Sequence, residues 1–166
     1  MKKILYLFLA LTSYAISAQT TAEEYLNSAV SKFYLDDMKG AIVDYTKAII
    51  IDPSYVEAYR KRGLAKEELK DFSGAIVDYT KAIEIDPNYA FALHDRGITK
   101  GKLKDFSGAI ADYIIAIKID PNYATAYFNR GVSKFYLVDM IGACKDARKA
   151  QALGDDALIL IKKVCN

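Results

Sequence analysis

The sequence of 166 residues predicts an all-α chain assembled from repeated helix-turn-helix units. Three observations lead there. The dipeptides Asp52-Pro53, Asp86-Pro87 and Asp120-Pro121 lie 34 residues apart, and Gly40, Gly74, Gly108 and Gly142, each followed by alanine, keep the same interval. Residues 56–89 and 90–123 agree at 21 of 34 aligned positions, with KDFSGAI in both. Within the period, apolar residues fall at helical steps, and no stretch alternates with period two for long enough to make a strand. A fixed interval of this length marks supersecondary units that bury their apolar faces only against neighbours.

The elements follow in order. Residues 1–20 read MKKILYLFLALTSYAISAQT: two lysines, an apolar run from Ile4 to Leu11, then small residues ending at Ser17-Ala18. That is the order of a secretory signal peptide, so residues 1–18 are expected to be cleaved off after Ala18. An uncleaved membrane anchor is the alternative, but a span needs about 20 strongly apolar residues, and Thr12, Ser13 and Ser17 interrupt this run. No cysteine lies near the cleavage point, so a lipid anchor is not expected. The short signal has a bacterial look, and the domain of residues 19–166 is expected to be exported to the periplasm or the exterior.

Four repeats fill that domain: 22–55, 56–89, 90–123 and 124–156. In the second, Ala58, Tyr59, Leu64, Ala65 and Leu69 make one amphipathic stripe. Asp71-Phe72-Ser73-Gly74 interrupts it, with Ser73 expected to cap the helix that follows. Ala75, Ile76, Tyr79, Ala82, Ile83 and Ile85 make a second stripe. Asp86-Pro87 ends it, because proline pushes the preceding residue out of helical geometry. The last repeat has Leu153-Gly154-Asp155-Asp156 in place of Asp-Pro. A final helix over 156–165, bearing Lys162 and Lys163, is expected to cap the array with a solvated surface.

Certain residue types recur at set places in the period. The second repeat has Tyr59, Gly63, Ala75, Tyr79, Ala82 and Pro87; the third has Leu93, Gly97, Ala109, Tyr113, Ala116 and Pro121. The first has Tyr25, Ala29, Ala41, Tyr45, Ala48 and Pro53. With these residues the chain resembles the tetratricopeptide repeat (TPR) family over nearly all of the domain. The resemblance implies a right-handed superhelical array of four TPR helix-turn-helix repeats plus a C-terminal capping helix, with small residues such as Gly63 and Ala75 letting paired helices approach closely. The fourth repeat keeps Tyr127, Gly131, Ala143 and Ala150, but Ala147 replaces the aromatic residue and the proline is lost.

Two features lie beyond the family pattern. Cys144 sits nine residues before Leu153 and Cys165 nine after Asp156, so two antiparallel helices joined at Gly154 would bring them level. In an oxidising compartment this favours a disulfide pinning the cap to the last repeat; two small buried thiols are the alternative. The seventh place of the period is Arg62, Arg96 and Arg130 but Ser28 in the first repeat, while Asp44, Asp78, Asp112 and Asp146 recur in the second helices. Because only the first repeat has no predecessor and only it lacks the arginine, inter-repeat ion pairs Asp44–Arg62, Asp78–Arg96 and Asp112–Arg130 are expected.

In function, the TPR resemblance implies a peptide or protein partner held in a concave groove lined by the first helices. Carried over by position, the groove residues are Leu26, Val30, Phe33 and Tyr34; Arg60, Leu64, Glu67 and Glu68; His94, Ile98, Gly101 and Lys102; and Phe128, Val132, Phe135 and Tyr136. A wall apolar at both ends and charged in the middle suits a peptide with apolar anchors. One familiar subclass grips a C-terminal carboxylate with Lys and Asn. Here the asparagine place holds Val30, Leu64, Ile98 and Val132, so that clamp is absent as a pattern.

Other function classes find little support. Lys and Arg number 23 against 21 Asp and Glu, and Lys2 and Lys3 lie in the expected signal, so the exported domain is balanced, unlike a nucleic-acid binder. His94, the one histidine, cannot form a multi-histidine metal site and is expected to be an exposed polar residue. No phosphate-cradling loop or nucleophilic triad occurs, so no enzyme, cofactor, metal or small-molecule substrate is expected. The favoured reading is a non-catalytic exported binding module or assembly scaffold, a monomer or a component of a larger complex. The alternative is a structural accessory subunit of an envelope, secretion or cell-wall complex that uses its outer face or ends.

Overall fold

The computed structural model describes residues 21–165; the expected signal peptide and its cleavage point lie outside the described residues. Every regular element among them is helical. Helix α1 covers 21–34, α2 Met38–Ile51, α3 Val56–Glu68, α4 Phe72–Ile85, α5 Ala90–Lys102, α6 Phe106–Ile119, α7 Ala124–Tyr136, α8 Met140–Ala152 and α9 Leu158–Val164. Each period thus yields two helices, and α9 is the cap, shorter at both ends than expected. Among the described residues no helix is long and apolar enough to cross a membrane.

The helix boundaries have local causes. The carboxylates of Asp37, Asp105 and Asp139 cap α2, α6 and α8 by accepting the backbone N–H of Gly40, Gly108 and Gly142 at 2.9, 2.9 and 2.8 Å. This corrects the expectation of a serine cap. Ser73 lies inside α4, one residue past its start, and its counterpart Ser107 lies likewise inside α6. An aspartate carries a full negative charge to the positive helix end, where a hydroxyl brings only a dipole. The recurring glycine follows from the same cap, since the carboxylate folds back over the space that a Cβ would fill. At the other end, Asp52 and Asp120 leave helical geometry with φ of −126° and −122°, as the following proline demands.

The packing divides the chain into two compact units, one ending at Asp71 and holding α1–α3, the other beginning at Phe72 and holding α4–α9. In the first, Leu26, Ala29, Ala41, Tyr45, Ala48, Ile49, Ala58 and Tyr59 are buried. In the second, α4 packs on α5 and α6 on α7 between repeats, while α5 packs on α6 and α7 on α8 within them. Its buried residues are largely alanines (Ala75, Ala82, Ala92, Ala109, Ala116, Ala126) around Tyr79, Leu93 and Tyr113. Small side chains let the helices approach, and the tyrosines fill the space left over. The approach is close at Gly97, where an added Cβ would lie 2.6 Å from Cε1 of Tyr113.

The ion pairs differ from the expected inter-repeat set. Arg96 grips Asp112 of its own repeat with two bonds, Nε to Oδ2 at 3.0 Å and Nη2 to Oδ1 at 2.7 Å. Arg130 holds Asp146 of its own repeat in the same way, at 2.8 and 2.6 Å. The pairs Asp78–Arg96 and Asp112–Arg130 are thereby corrected: a spacing of sixteen residues crosses the hairpin and permits two-point contact. Asp44 departs from the expected Arg62 pairing as well. It accepts bonds from Ser28, Lys32 and Lys47. Burial raises its carboxyl, but the bonds from Lys32, Ser28 and Lys47 outweigh that and bring its pKa down to about 2. Across the repeat boundary the arginines reach a neutral acceptor instead: Nη1 of Arg62 donates to Thr46 and Nη1 of Arg96 to Thr80, both at 3.0 Å.

At the C-terminal end, Ala157, Leu160 and Val164 of the cap bury against Ala143, Ala147 and Ala150 of α8, with Tyr127, Phe128, Val132 and Phe135 around them. Cys144 and Cys165 are joined by a disulfide, their Cα atoms 5.0 Å apart. The cap is not fully solvated in character: Ile159 is 83% exposed and Leu158 53%.

Candidate functional site

The first-helix faces line recesses in both units. In the first unit, Val30, Phe33 and Tyr34 from α1, Tyr45 from α2, and Arg60, Lys61 and Leu64 from α3 line a recess of about 220 Å³. Five expected groove residues (Val30, Phe33, Tyr34, Arg60 and Leu64) therefore meet. Tyr34 is 83% exposed, its ring edge-on to Phe33 with centroids 6.2 Å apart, so it stands at the mouth. Tyr45 forms the floor. Its phenol is pushed up to about 12 by burial, with the Glu57 carboxylate and Tyr34 adding to the effect, so it presents a neutral hydroxyl.

In the second unit, Ile98, Gly101 and Lys102 of α5, Phe106 and Tyr113 of α6, and Asn129, Val132, Ser133 and Tyr136 of α7 enclose about 230 Å³. A neighbouring recess of about 280 Å³ is lined by Phe128, Val132, Phe135 and Tyr136 of α7, Asp156 before the cap, and Ile159, Leu160 and Lys163 of α9. The two share Val132 and Tyr136, which form the ridge between them. Tyr136 stacks on Phe106, with centroids 4.6 Å apart and planes 7° from parallel, and this fixes the ridge. Lys163 lies over the Phe135 ring, its Nζ 4.3 Å from the centroid, and puts a cation on the rim of the outer recess.

Some expected groove residues sit elsewhere. Leu26 and Glu67 are buried, and Glu68 is exposed on α3, outside the lining of the first unit's recess described above. His94 is not the exposed residue expected: it is buried, its ring 4.8 Å from that of Tyr123. The Asn129 amide lies 3.0 Å from Nε2, and Nδ1 lies 3.6 Å from Asp95. With the amide as donor, the ring proton sits on Nδ1. His94 thus acts indirectly, by holding Asn129 where it lines the inner recess.

Tyr45, Phe106 and Tyr113 escape a reading from first helices alone, since they lie on second helices, although their periodic aromatic character is visible in the sequence. That reading also misses Asn129 and the cap residues Ile159 and Leu160. Among the described residues no group of three His, Cys, Asp or Glu side chains gathers as metal ligands would.

Comparison with known proteins agrees with this architecture. A tetratricopeptide-repeat profile matches residues 56–89, and a second TPR-repeat profile matches 102–135. Among curated proteins, none matches the sequence significantly. A crystal structure of MamA superposes with a TM-score of 0.76 at 24% identity, over 80% of this chain and 78% of that one. The first TPR domain of Spaghetti (RPAP3), bound to the HSP90 peptide SRMEEVD, gives 0.65 at 25% identity, over 66% and 90%. The Arabidopsis OM64 TPR domain gives 0.69 at 25% identity, over 72% and 98%. Period, paired helices, small-residue contacts and these likenesses agree: the chain is a tetratricopeptide-repeat protein.

Proposed function

We propose that this protein-interaction module holds a peptide segment of a protein partner in the recesses formed by its first helices, and that it does so outside the cytoplasm. TPR proteins are generally non-catalytic, and the RPAP3 domain of similar fold carries a bound peptide. The carrying observation is that residues scattered over the sequence converge on recesses, mixed in character in the first unit and mainly apolar in the second, with cations among their lining residues: Arg60 and Lys61 in the first unit, Lys102 and Lys163 in the second. Such recesses favour apolar anchors accompanied by carboxylates. The lysine–asparagine clamp for a terminal carboxylate lacks its asparagine, as Val30, Leu64, Ile98 and Val132 stand there, so internal anchors rather than a chain end are the recognised feature. Export is supported by the charge, apolar run and small-residue order of residues 1–18 and by the bridged cysteine pair, which persists in oxidising surroundings.

The test replaces Phe33, Leu64, Ile98 and Phe135 by glutamate and compares partner capture from periplasmic extract with that of the parent chain. Loss of a specific partner with unchanged helical circular dichroism is the expected result. Undiminished capture would overturn the groove reading and favour the outer face, where Val43, Ile50 and Val77 are exposed. For export, N-terminal sequencing of the chain from bacterial periplasm is expected to begin at Gln19; recovery of only the intact chain from cytosol would refute it.

A further inference from the structure

We infer that the outer recess of the second unit is conditional on the Cys144–Cys165 bond, so that a dithiol reductant switches off the docking of an apolar peptide anchor there. This deepens the peptide-binding reading above and rests on it. Three of the eight lining residues (Ile159, Leu160 and Lys163) belong to α9, and Asp156 to the segment leading into it. Without the cap, only one wall would remain.

The cap has little hold of its own. It is seven residues long, far below the about 12–15 at which an isolated helix is even marginal in water. Its N-cap residue, Ala157, has no side chain that can cap; the Ala157 amide donates to Oε1 of Gln151 at 3.1 Å and the Leu158 amide to Oδ1 of Asp156 at a long 3.4 Å. It buries only Leu160 and Val164, with Ala157 just ahead of it. The connection from α8 turns through Gly154 at φ +95° and buries one carboxylate oxygen, Oδ2 of Asp155, without a hydrogen-bond partner, a cost carried by the folded cap. Against this stands the covalent bond, which closes a span of 21 residues at the far end of α9. It is the covalent constraint on the wall, added to the packing of Leu160 and Val164.

The chemistry is thiol–disulfide exchange. A thiolate of the reductant attacks one sulfur, the Cys144–Cys165 bond breaks, and a mixed disulfide forms. The reductant's second thiol then displaces it, leaving two cysteine thiols and an oxidised reductant; two electrons and two protons pass to the protein. Freed of the bond, α9 frays, Ile159 and Leu160 leave the recess, and Lys163 leaves the Phe135 ring. The occupant favoured in the oxidised form is a large apolar side chain beside a carboxylate, which Lys163 would hold at the rim.

The test has two readouts on the full mature chain, oxidised and then reduced with dithiothreitol. The first is hydrogen exchange at the Ile161 and Cys165 amides, which bond to Ala157 and Ile161 at 2.9 Å. Reduction is expected to speed their exchange by roughly 100-fold or more, while amides in the middle of α5 keep their rates. The second is fluorescence anisotropy with a labelled peptide Asp-Phe-Asp-Leu-Phe-Asp, whose affinity is expected to fall at least tenfold on reduction. The Cys144→Ser/Cys165→Ser chain should reproduce the reduced form without dithiothreitol. Ile159→Lys should weaken the peptide without speeding exchange. Unchanged exchange on reduction overturns the switch. Faster exchange with unchanged affinity overturns the assignment of the anchor to this recess. Failure of the peptide to bind even the oxidised chain, with exchange still redox-dependent, strikes the peptide-binding reading and leaves the conditional wall standing.

Discussion

The charge ladder makes a quantitative claim about which pairs hold the fold. Asp112 is 2% exposed and accepts three bonds: from Arg96 at 3.0 and 2.7 Å, and from Lys100 at 2.8 Å. Replacing it by alanine leaves two cations facing an apolar hairpin. Breaking a buried pair in this way costs about 3–5 kcal/mol. The side chains of Arg96 and Lys100 retain 16% and 21% exposure and can partly rehydrate, so the lower end applies, about 3 kcal/mol. Urea unfolding of D112A, R96A and the double variant isolates the pair, with an expected coupling of about 2 kcal/mol. A parallel cycle of R96A with Thr80→Val reads the inter-repeat bond from the Arg96 guanidinium to a neutral hydroxyl, expected at about 1.5 kcal/mol. A coupling of Arg96 to Asp112 under about 0.5 kcal/mol, the value of a surface pair, would refute the ladder. So would a larger coupling of Arg96 to Asp78.

Two further experiments probe the packing and the first repeat. Gly97→Ala drives a methyl against the Tyr113 ring and is expected to destabilise by about 2 kcal/mol, whereas Gly101→Ala, with nothing within 4 Å of the new Cβ, is expected to stabilise by about 0.8 kcal/mol; thermal melts should move in opposite directions. Asp44 has its folded pKa lowered to about 2 from 3.8, so its contribution is complete above pH 4 and is lost as pH falls toward 2. The solvated ends of Lys32 and Lys47 screen the effect, leaving about 1 kcal/mol. Denaturation midpoints measured between pH 2 and pH 5 should show a corresponding slope that Asp44→Asn lacks.

The fold was legible because its determinants are local and periodic. Asp-Pro ends a helix by backbone sterics alone, and a small residue at a fixed place announces a close approach whatever the partner. The partner choices were less legible. From Arg96, Asp78 lies eighteen residues back and Asp112 sixteen ahead, each on a neighbouring second helix, and only the hairpin geometry decides between them. Ser73 and Asp71 both suit a cap, and the difference of two residues depends on where the turn leaves the left-handed conformation seen at Lys70, with φ of 63°. His94 was misjudged because its burial comes from Tyr123 and Asn129, remote in sequence. The recesses were read from first helices alone, so their second-helix floors and the cap wall escaped notice.

The corrected ladder bears on how such a chain grows. Arg96–Asp112 and Arg130–Asp146 are each closed inside one 34-residue period, and Ser28 with Asp44 keeps the same sixteen-residue geometry. A duplication or loss of one whole period in the gene therefore carries the donor and acceptor of such a pair together, while contacts across the boundary, such as the threonine bonds and the contact of Asn129 with His94, have to be made anew. A pair that straddled the boundary would instead depend on the neighbouring period to supply its partner, so closing the charges within the period makes the array tolerant of changes in its own length.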